Sequence, residues 1–287
     1  MHSNIKKTFA FFITMFSILF IVSCEKRNNS DDTYFGSKIM ILGHRGMGSY
    51  YKKPGNTYES IVPAIGIGAD GCEVDVQITK DSILVFFHDG ELNSTTTCNG
   101  RIYESTWAEI KQCKYYALEN NIFISSVDDV FNNIHNLANL YFSFDSKIDY
   151  LVADPEEYQN QLLRAIKRIC DKYNVSDNVF IEGNAQYLRK ARQLGFTNKL
   201  FLSGVVSQAN IDTCINNSFF GICTQMENFE IDADSAHKKG LYIMSYTPNN
   251  YYSNVIAIKK KIDILQTDDP ISILKLFDRY NYEYIIP

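Results

Sequence analysis

The sequence predicts an α/β fold, a (β/α)8 TIM barrel with a β-hairpin extension and a small insertion at the barrel mouth. Short apolar runs alternate with helical patterns from about residue 38 onwards, which is typical of a parallel sheet. One pair of runs is joined by a turn too short for a parallel connection, so one run is additional to the eight barrel strands. The 287 residues, 45% of them hydrophobic, can bury a full core.

Nine apolar runs have the length and composition of β-strands, and helical patterns separate most of them. The clearest helical patterns cover Thr57–Ala69, Pro155–Tyr173, Ala185–Leu194 and Pro270–Tyr280. The strand-like runs are residues 39–43, 72–76, 83–87, 140–145, 179–182, 199–203, 220–224, 241–246 and 262–266.

The second and third runs are predicted to form an antiparallel hairpin. Only the polar turn TKDS, residues 79–82, joins them, whereas parallel strands need a crossover of about a dozen residues or more. In this hairpin, residues whose numbers add to about 161 should face each other. That register places Glu73 near His88, and removing the returning arm leaves eight barrel strands.

A longer stretch, residues 89 to about 137, lies outside the strand–helix alternation. It contains two helical patterns, Thr106–Cys113 and Val127–Ile134. We predict an insertion near the barrel mouth.

The cysteines suggest one disulfide and several buried thiols. Cys98 and Cys113 lie in the same polar insertion and form the expected pair if the protein is exported. Cys72 and Cys223 lie in apolar runs and are predicted to be buried thiols. The chain has no CxxC motif, so a zinc or redox motif is not supported.

The N-terminus has the pattern of a secretory signal. Lys6 and Lys7 precede an apolar run, residues 9–22, which leads into the motif Val-Ser-Cys with Cys24 last. This motif resembles a bacterial lipobox, and the resemblance implies cleavage before Cys24 and lipidation of its thiol. An ordinary transmembrane anchor is the alternative, although the run is rather short for one.

Three parts follow from this interpretation: a lipoprotein signal peptide at 1–23, a polar tether at 24–36 and one domain at 37–287. The expected location is that of an exported, membrane-anchored bacterial lipoprotein, at the periplasmic face or the cell surface. The membrane is then a partner through the lipid anchor.

The overall charge argues against nucleic acid as a partner. The formal net charge is −5 and the isoelectric point is about 5.6, whereas nucleic-acid-binding proteins usually carry a strong basic patch. A small anionic substrate is still compatible with this charge, because a local cluster of Arg and Lys can hold it.

Carboxylates alternate with apolar residues in the second run. Glu73 and Asp75 are two apart on a strand, so they point to one face and can reach one cation. Asp145 ends the next barrel strand and is expected at the same mouth. Three carboxylates predict Mg²⁺ or Ca²⁺, with Lys147 directed at the same centre. A solvated strand face with salt bridges is the alternative for Glu73 and Asp75 taken alone, and a salt bridge is the alternative role for Lys147.

Two histidines and one arginine end strands at this same mouth. His44 and Arg45 lie between glycines that permit a tight turn, and His88 ends the hairpin. Arginine suits bidentate phosphate binding, and histidine suits proton transfer near neutral pH. His135 and His237 lack such a setting and are predicted to be ordinary residues on helix surfaces.

These motifs resemble the glycerophosphodiester phosphodiesterase family. The segments that carry the resemblance are HRG, GNT, GADGCEVDVQITKD, FFHD and FDSK, and weaker matches extend it over about residues 38–275. The resemblance implies a role for each matching position: His44 and His88 as the general acid/base pair, Arg45 and Lys147 at the phosphate, Glu73, Asp75 and Asp145 as metal ligands, and Asn56 and Tyr246 in the substrate pocket.

The resemblance also implies a reaction, the hydrolysis of glycerophosphodiesters to glycerol 3-phosphate and an alcohol, assisted by one divalent cation. Two alternatives stay open. The same site could cleave lysophospholipid or phosphoinositide headgroups, or the barrel could be a catalytically silent ligand-binding protein.

Two positions depart from the family pattern. Gly55 stands where the family usually has Glu, and Asp145 stands where the third ligand is usually Glu. Related sphingomyelinase D toxins also use Asp at the second position. Both departures bear on headgroup specificity.

Overall fold

The computed structural model describes residues 33–34, 37–116, 121–148, 152–246 and 248–287. The predicted signal peptide, Cys24 and most of the predicted tether lie outside the described residues. The chain from Asp32 to Pro287 forms one compact unit. Among the described helices, none combines the length and the apolar character needed to cross a membrane.

The described part of the chain contains twelve strands and nine α-helices. The strands are β1 (Thr33–Tyr34), β2 (Ser37–Lys38), β3 (Met40–His44), β4 (Gly71–Ile78), β5 (Leu84–Phe86), β6 (Ser125–Ser126), β7 (Tyr141–Ser146), β8 (Val179–Gly183), β9 (Leu200–Ser203), β10 (Gly221–Gln225), β11 (Tyr242–Tyr246) and β12 (Ile264–Thr267). The helices are α1 (Tyr58–Gly66), α2 (Trp107–Ile110), α3 (Val127–Asn133), α4 (Pro155–Tyr173), α5 (Ala185–Gln193), α6 (Gln208–Asn217), α7 (Ala233–His237), α8 (Tyr251–Lys259) and α9 (Pro270–Leu276).

Eight of the strands close into a parallel barrel. They follow one another in the order β3, β4, β7, β8, β9, β10, β11 and β12, and β12 pairs with β3 to complete the ring. Helices lie between successive barrel strands, as the alternation of runs predicts. The predicted (β/α)8 fold is therefore confirmed. The small β1–β2 ladder precedes the barrel, so backbone pairing begins within the stretch predicted as a tether.

The predicted hairpin is also present, because β5 returns antiparallel to β4 and then pairs with β6. Its register differs by one residue from the prediction: Val76 faces Phe86 and Ile78 faces Leu84, so facing numbers add to 162. Glu73 is thus not opposite His88, and the ladder stops at Val76. The short polar turn limits the register only to within a residue or so, since loop length alone does not specify the turn type.

The barrel interior changes from apolar to polar along its axis. Phe180, Phe201 and Ile264 belong to a buried apolar cluster inside the barrel. Two residues further along two of these strands lie Glu182 and Gln266, which are buried and hydrogen-bonded to each other. Because side chains two apart share a face, the polar layer lies on the side of the C-terminal strand ends. The charged groups described below lie at that mouth.

Helix α4 illustrates how the surrounding helices are specified. Asp154 caps its first turn by accepting hydrogen bonds from two backbone N–H groups, and Pro155 occupies the first helical position. Leu162, Leu163 and Ile166 are fully buried on the face toward the sheet. The helix ends where Asn174 adopts a left-handed conformation with φ 53°.

The insertion between β5 and β7 has a core of its own. Phe87, Leu92, Ile110 and Ile124 belong to a buried cluster separate from the main core. The ring of Phe131 in α3 lies 4.8 Å from that of Phe142 in β7, which ties the end of the insertion to the barrel.

Cys98 and Cys113 form a disulfide within the insertion, as predicted. The remaining cysteines among the described residues are free and buried, including Cys72 and Cys223, which confirms that prediction as well. Burial raises the pKa of the Cys72 thiol, so this group is protonated at neutral pH.

The prediction that His237 lies on a helix surface is wrong. The residue is only 4% exposed, and its Nε2 lies 3.0 Å from Oδ2 of the buried Asp263. The same Asp263 oxygen accepts a hydrogen bond from the backbone N–H of Ile243 in β11. The short helix α7 packs against β11, so its last residue reaches a partner 26 residues away that local sequence does not indicate. His135 is exposed in the turn after α3.

We predict that the disulfide stabilises the insertion measurably. Replacing both cysteines (Cys98→Ser with Cys113→Ser) opens a loop of 15 residues and should lower the free energy of unfolding by about 3 kcal/mol. The measurement is urea denaturation with and without dithiothreitol. The reductant should destabilise the wild type and should leave the unfolding curve of the variant unchanged. Identical unfolding curves for wild type and variant under oxidising conditions would contradict the prediction.

Candidate active site

The loop after β3 begins the site with a tight turn. Arg45 has φ 52° and Gly46 has φ 102°, both in the left-handed region. A Cβ atom at Gly43 would lie 1.9 Å from the carbonyl oxygen of Gly46, so only glycine fits there. The turn places His44 and Arg45 at the mouth of the barrel. This is the tight turn that the flanking glycines predict.

Three carboxylates lie together at the strand ends. Oxygen atoms of Glu73, Asp75 and Asp145 are all within 4.8 Å of one another. Glu73 and Asp75 share the inner face of β4, and Asp75 is in register with Asp145 on the adjacent β7. Glu73 and Asp75 are buried, and Asp145 is partly exposed.

The buried carboxylates have opposite pKa shifts. Burial, followed by the charges of Asp75, Glu182 and Asp145, raises the pKa of Glu73 well above its ordinary range. Burial would also raise the pKa of Asp75, but the charges of Lys147 and Arg45 outweigh it and lower that pKa. The neighbouring cations therefore do not fully neutralise the negative charge of the three carboxylates.

Two cations face these acids. Nζ of Lys147 lies 2.9 Å from Oδ1 of Asp75 and 2.6 Å from Oδ2 of Asp145. Nε of Arg45 lies 3.0 Å from Oδ2 of Asp75. Burial would lower the pKa of Lys147, yet the two carboxylates raise it overall, so the ammonium is held in its charged form.

Asn56 holds Asp75 in place. Its side-chain Nδ2 donates to Oδ2 of Asp75 at 2.7 Å, and its Oδ1 accepts from the backbone N–H of Asp75 at 3.0 Å. Asn56 itself has φ 62°, a conformation that asparagine tolerates better than most residues. The residue expected in the substrate pocket thus also orients a carboxylate, and it lines a cavity.

His44 is held from two sides. Its Nδ1 lies 2.6 Å from Oδ1 of Asp268, and its Nε2 lies 3.7 Å from Oε2 of Glu73. Burial would raise the pKa of Asp268, but the hydrogen bond and charge of His44 lower it overall. With Nδ1 engaged, Nε2 is the ring nitrogen that faces the carboxylate cluster.

Asp268 was not among the predicted site residues, although a feature of the sequence indicated it. It follows the last barrel strand as a polar residue after an apolar run, the same feature that pointed to Asp145. Oδ1 of Asp268 also accepts from the backbone N–H of Ser49 at 2.9 Å. Asp268 therefore links the loop after β3 to the strand that closes the barrel.

His88 follows β5 at the edge of the mouth. Its Nδ1 lies 2.8 Å from Oδ1 of Asp89, and its charge contributes to lowering the pKa of Asp75 behind those of Lys147 and Arg45. The amide of Gln77 donates to the carbonyl oxygens of Phe87 and Asp89, which fixes the backbone on both sides of His88. His88 is thus near the carboxylates, although not by the predicted hairpin register.

Tyr246 ends β11 in a half-buried position. Burial, followed by the charges of Cys223, Glu182 and Asp145, raises the pKa of its phenol. Glu182 lies deeper in the barrel, where its carboxyl accepts hydrogen bonds from Ser143 and from Cys223.

Two cavities meet at His88. The first, here called the Lys52 cavity, has a volume of about 470 Å³ and extends from Arg45 and Asn56 to the insertion. The second, here called the Arg101 cavity, has a volume of about 520 Å³ and extends along Lys147.

The donor set of the cluster fits a hard divalent cation. Carboxylate oxygens are the ligands that Mg²⁺ and Ca²⁺ prefer, and a site with three carboxylates leaves positions for water and phosphate oxygens. The raised pKa of Glu73 has the same implication, because an added positive charge would favour its ionised form. Glu73, Asp75 and Asp145 are the residues that could hold the ion.

Comparison with known proteins identifies the family. The model of the glycerophosphoryl diester phosphodiesterase family matches residues 44–272. The chain belongs to this family. It is accordingly a phosphoric diester hydrolase, and its matched region spans every site residue from His44 to Asp268.

The chain is also similar to individual proteins, and the solved structures among them share its fold. A glycerophosphodiester phosphodiesterase of Caldanaerobacter subterraneus subsp. tengcongensis is 24% identical over 83% of this chain and 98% of its own length. A phosphodiesterase of Oleispira antarctica, solved with the product sn-glycerol-3-phosphate, superposes with a TM-score of 0.70 at 18% identity, covering 83% of this chain and 96% of that one. A glycerophosphodiester phosphodiesterase of Parabacteroides distasonis gives the same values.

We predict that Asp268 positions His44 for proton transfer. In Asp268→Asn the amide cannot hold Nδ1 as a carboxylate does, so kcat should fall on the order of 10²–10⁴-fold with KM little changed. Steady-state phosphodiester hydrolysis measures this, with Asp268→Glu expected to recover part of the activity. A thermal melt checks that the fold is intact. Wild-type kcat in a folded Asp268→Asn would contradict the assignment.

Proposed function

We propose that this enzyme hydrolyses glycerophosphodiesters to glycerol 3-phosphate and an alcohol, with His44 and His88 as the general acid/base pair and a divalent cation at the carboxylate cluster. The observation that carries the proposal is the convergence of two Asp-linked histidines, two cations and three carboxylates at one barrel mouth. The product named for the Oleispira antarctica structure supports the substrate class.

The metal part of the proposal assigns Glu73, Asp75 and Asp145 as ligands of Mg²⁺ or Ca²⁺. A cation bound there would act as a Lewis acid on a phosphoryl oxygen. Arg45 and Lys147, which contact the same carboxylates, are placed to bind the remaining phosphoryl oxygens and to stabilise the negative charge that develops on them.

The first step of the proposed reaction is internal attack. One imidazole accepts the proton of the glycerol 2-hydroxyl, and the oxygen forms a bond to phosphorus. The bond from phosphorus to the alcohol oxygen breaks, and the second imidazole donates its proton to that oxygen. The free alcohol leaves, and a cyclic glycerol phosphate stays in the site.

The second step reverses the proton transfers. A water molecule loses a proton to the imidazole that acted as an acid, its oxygen bonds to phosphorus, and the ring opens at the 2-oxygen. The other imidazole returns a proton to that oxygen, which yields glycerol 3-phosphate. The Asp268 and Asp89 contacts leave Nε2 of each ring available for these transfers.

Single replacements of the two histidines test the proposal. His44→Ala and His88→Ala should each lower kcat by about 10²–10⁴-fold, because each removes one proton-transfer group. The release of glycerol 3-phosphate from glycerophosphoinositol is the measurement, and EDTA should abolish it until Mg²⁺ or Ca²⁺ is added. His135→Ala changes an exposed histidine away from the site and is the matched control. Near-normal turnover in His44→Ala refutes the assignment.

We also propose that the mature enzyme is a lipoprotein held at a membrane by Cys24. The support is the sequence pattern alone, a basic start, an apolar run and a lipobox-like motif. In cells, Cys24→Ala should prevent labelling by a radioactive fatty acid and should leave the predicted signal peptide uncleaved, so the protein should be larger by about the mass of residues 1–23. Fatty-acid labelling of Cys24→Ala at the wild-type level would count against lipidation of Cys24.

A further inference from the structure

We infer that the Lys52 cavity binds the alcohol part of the substrate and selects an alcohol that carries a negative charge over one that carries a quaternary ammonium. The inference rests on the proposed function, since it names the substrate class that this site takes. It concerns residues outside the proton-transfer and carboxylate groups.

The placement of the two cavities gives each arm of a phosphodiester its own space. Both cavities touch His88, but Arg45 lines the Lys52 cavity whereas Lys147 lines the Arg101 cavity. Arg45 and Lys147 contact the same carboxylate, Asp75, so the phosphorus would lie between them. One ester arm would then enter each cavity.

The side chains of the Arg101 cavity fit the glycerol arm. Its charged side chains are paired, because Arg101 lies 3.6 Å from Glu91 and Lys147 contacts Asp75 and Asp145. The remaining polar side chains, Gln77, Ser146 and Asn184, carry amide and hydroxyl groups that can exchange hydrogen bonds with a small polyol. The other arm, the alcohol, therefore falls to the Lys52 cavity.

The lining of the Lys52 cavity carries excess positive charge. Lys52 and Lys53 lie next to each other on the loop after β3, and both line the cavity, whereas Arg45 is paired with Asp75. Among the described residues that line this cavity, Asp89 is the one carboxylate, and it is hydrogen-bonded to His88. A negatively charged alcohol would be attracted here, and a quaternary ammonium would be repelled.

The position next to the lysines also lacks a carboxylate. Gly55 contributes only backbone to the wall, and a Cβ atom there would lie 2.8 Å from Cβ of Arg45. Larger side chains are thus disfavoured at this point of the cavity. Tyr115 and Tyr116 form part of the facing wall, so aromatic surface is present. Such rings could attract an ammonium alone, but the adjacent lysines oppose it.

The test compares three glycerophosphodiesters that share the glycerol phosphate: glycerophosphoinositol 4-phosphate, glycerophosphoinositol and glycerophosphocholine. The first two differ by one phosphate group. Lys52 is exposed and Lys53 is partly exposed, so each lysine should contribute no more than about fivefold. We therefore expect kcat/KM to be about tenfold higher for the 4-phosphate than for the neutral inositol ester. The choline ester should have the lowest value, and added salt should reduce the differences.

The double charge reversal Lys52→Glu with Lys53→Glu should remove the preference for the 4-phosphate and raise the relative rate on the choline ester. The matched control is Lys238→Glu with Lys239→Glu, an adjacent exposed pair just before β11, at the opposite end of the barrel strands. This control changes the net charge equally and should keep the wild-type order.

The possible results distinguish a failure of the inference from a failure of the proposed function. If all three esters are hydrolysed in an order that the Lys52/Lys53 reversal does not alter, the inference fails and the proposed function stands. An equal loss on all three esters also overturns it, because the lysines would then act on the shared glycerol phosphate. If the wild type hydrolyses none of the three, the proposed function fails and the inference fails with it.

Discussion

The structure depends on one electrostatic constraint, the confinement of three carboxylates within 4.8 Å at the mouth of a barrel. Glu73 and Asp75 are almost fully buried, and like charges at this distance destabilise one another unless they are neutralised. Arg45 and Lys147 supply part of the compensation. The raised pKa of Glu73 indicates that these two cations do not complete it.

Several other contacts hold the carboxylates and the side chains around them in place. The left-handed turn at Arg45 brings its guanidinium to Asp75, and the two-way hydrogen bonding of Asn56 fixes the same carboxylate. Asp268 follows the strand that closes the barrel and contacts His44, so closure of the barrel also orients the imidazole of His44. The charged side chains at the mouth are consequently held in position by residues that lie far apart in sequence.

Local features of the sequence predicted most of the fold and the convergence of the candidate site residues at one mouth. Each barrel strand is a short apolar run, and the polar residues at the strand ends converge because parallel strands end at the same mouth. The Cys98–Cys113 disulfide was predictable because both cysteines lie in one insertion. The hairpin register was missed by one residue because loop length does not specify the turn type. The other differences have non-local causes: the partner of His237 lies 26 residues away, and the pair of His44 and Asp268, which was not predicted, forms only when β12 meets β3.

The central claim is that the carboxylate cluster binds a divalent cation, and isothermal titration calorimetry with Mg²⁺ and Ca²⁺ tests it most directly. Because the pKa of Glu73 is raised, this group carries a proton at pH values where an ordinary glutamate is ionised, and the cation must displace it. Titrations in two buffers with different heats of protonation should therefore show release of a proton, and affinity should increase with pH. Binding without proton release at any pH, or equally tight binding by Glu73→Gln, would contradict the account.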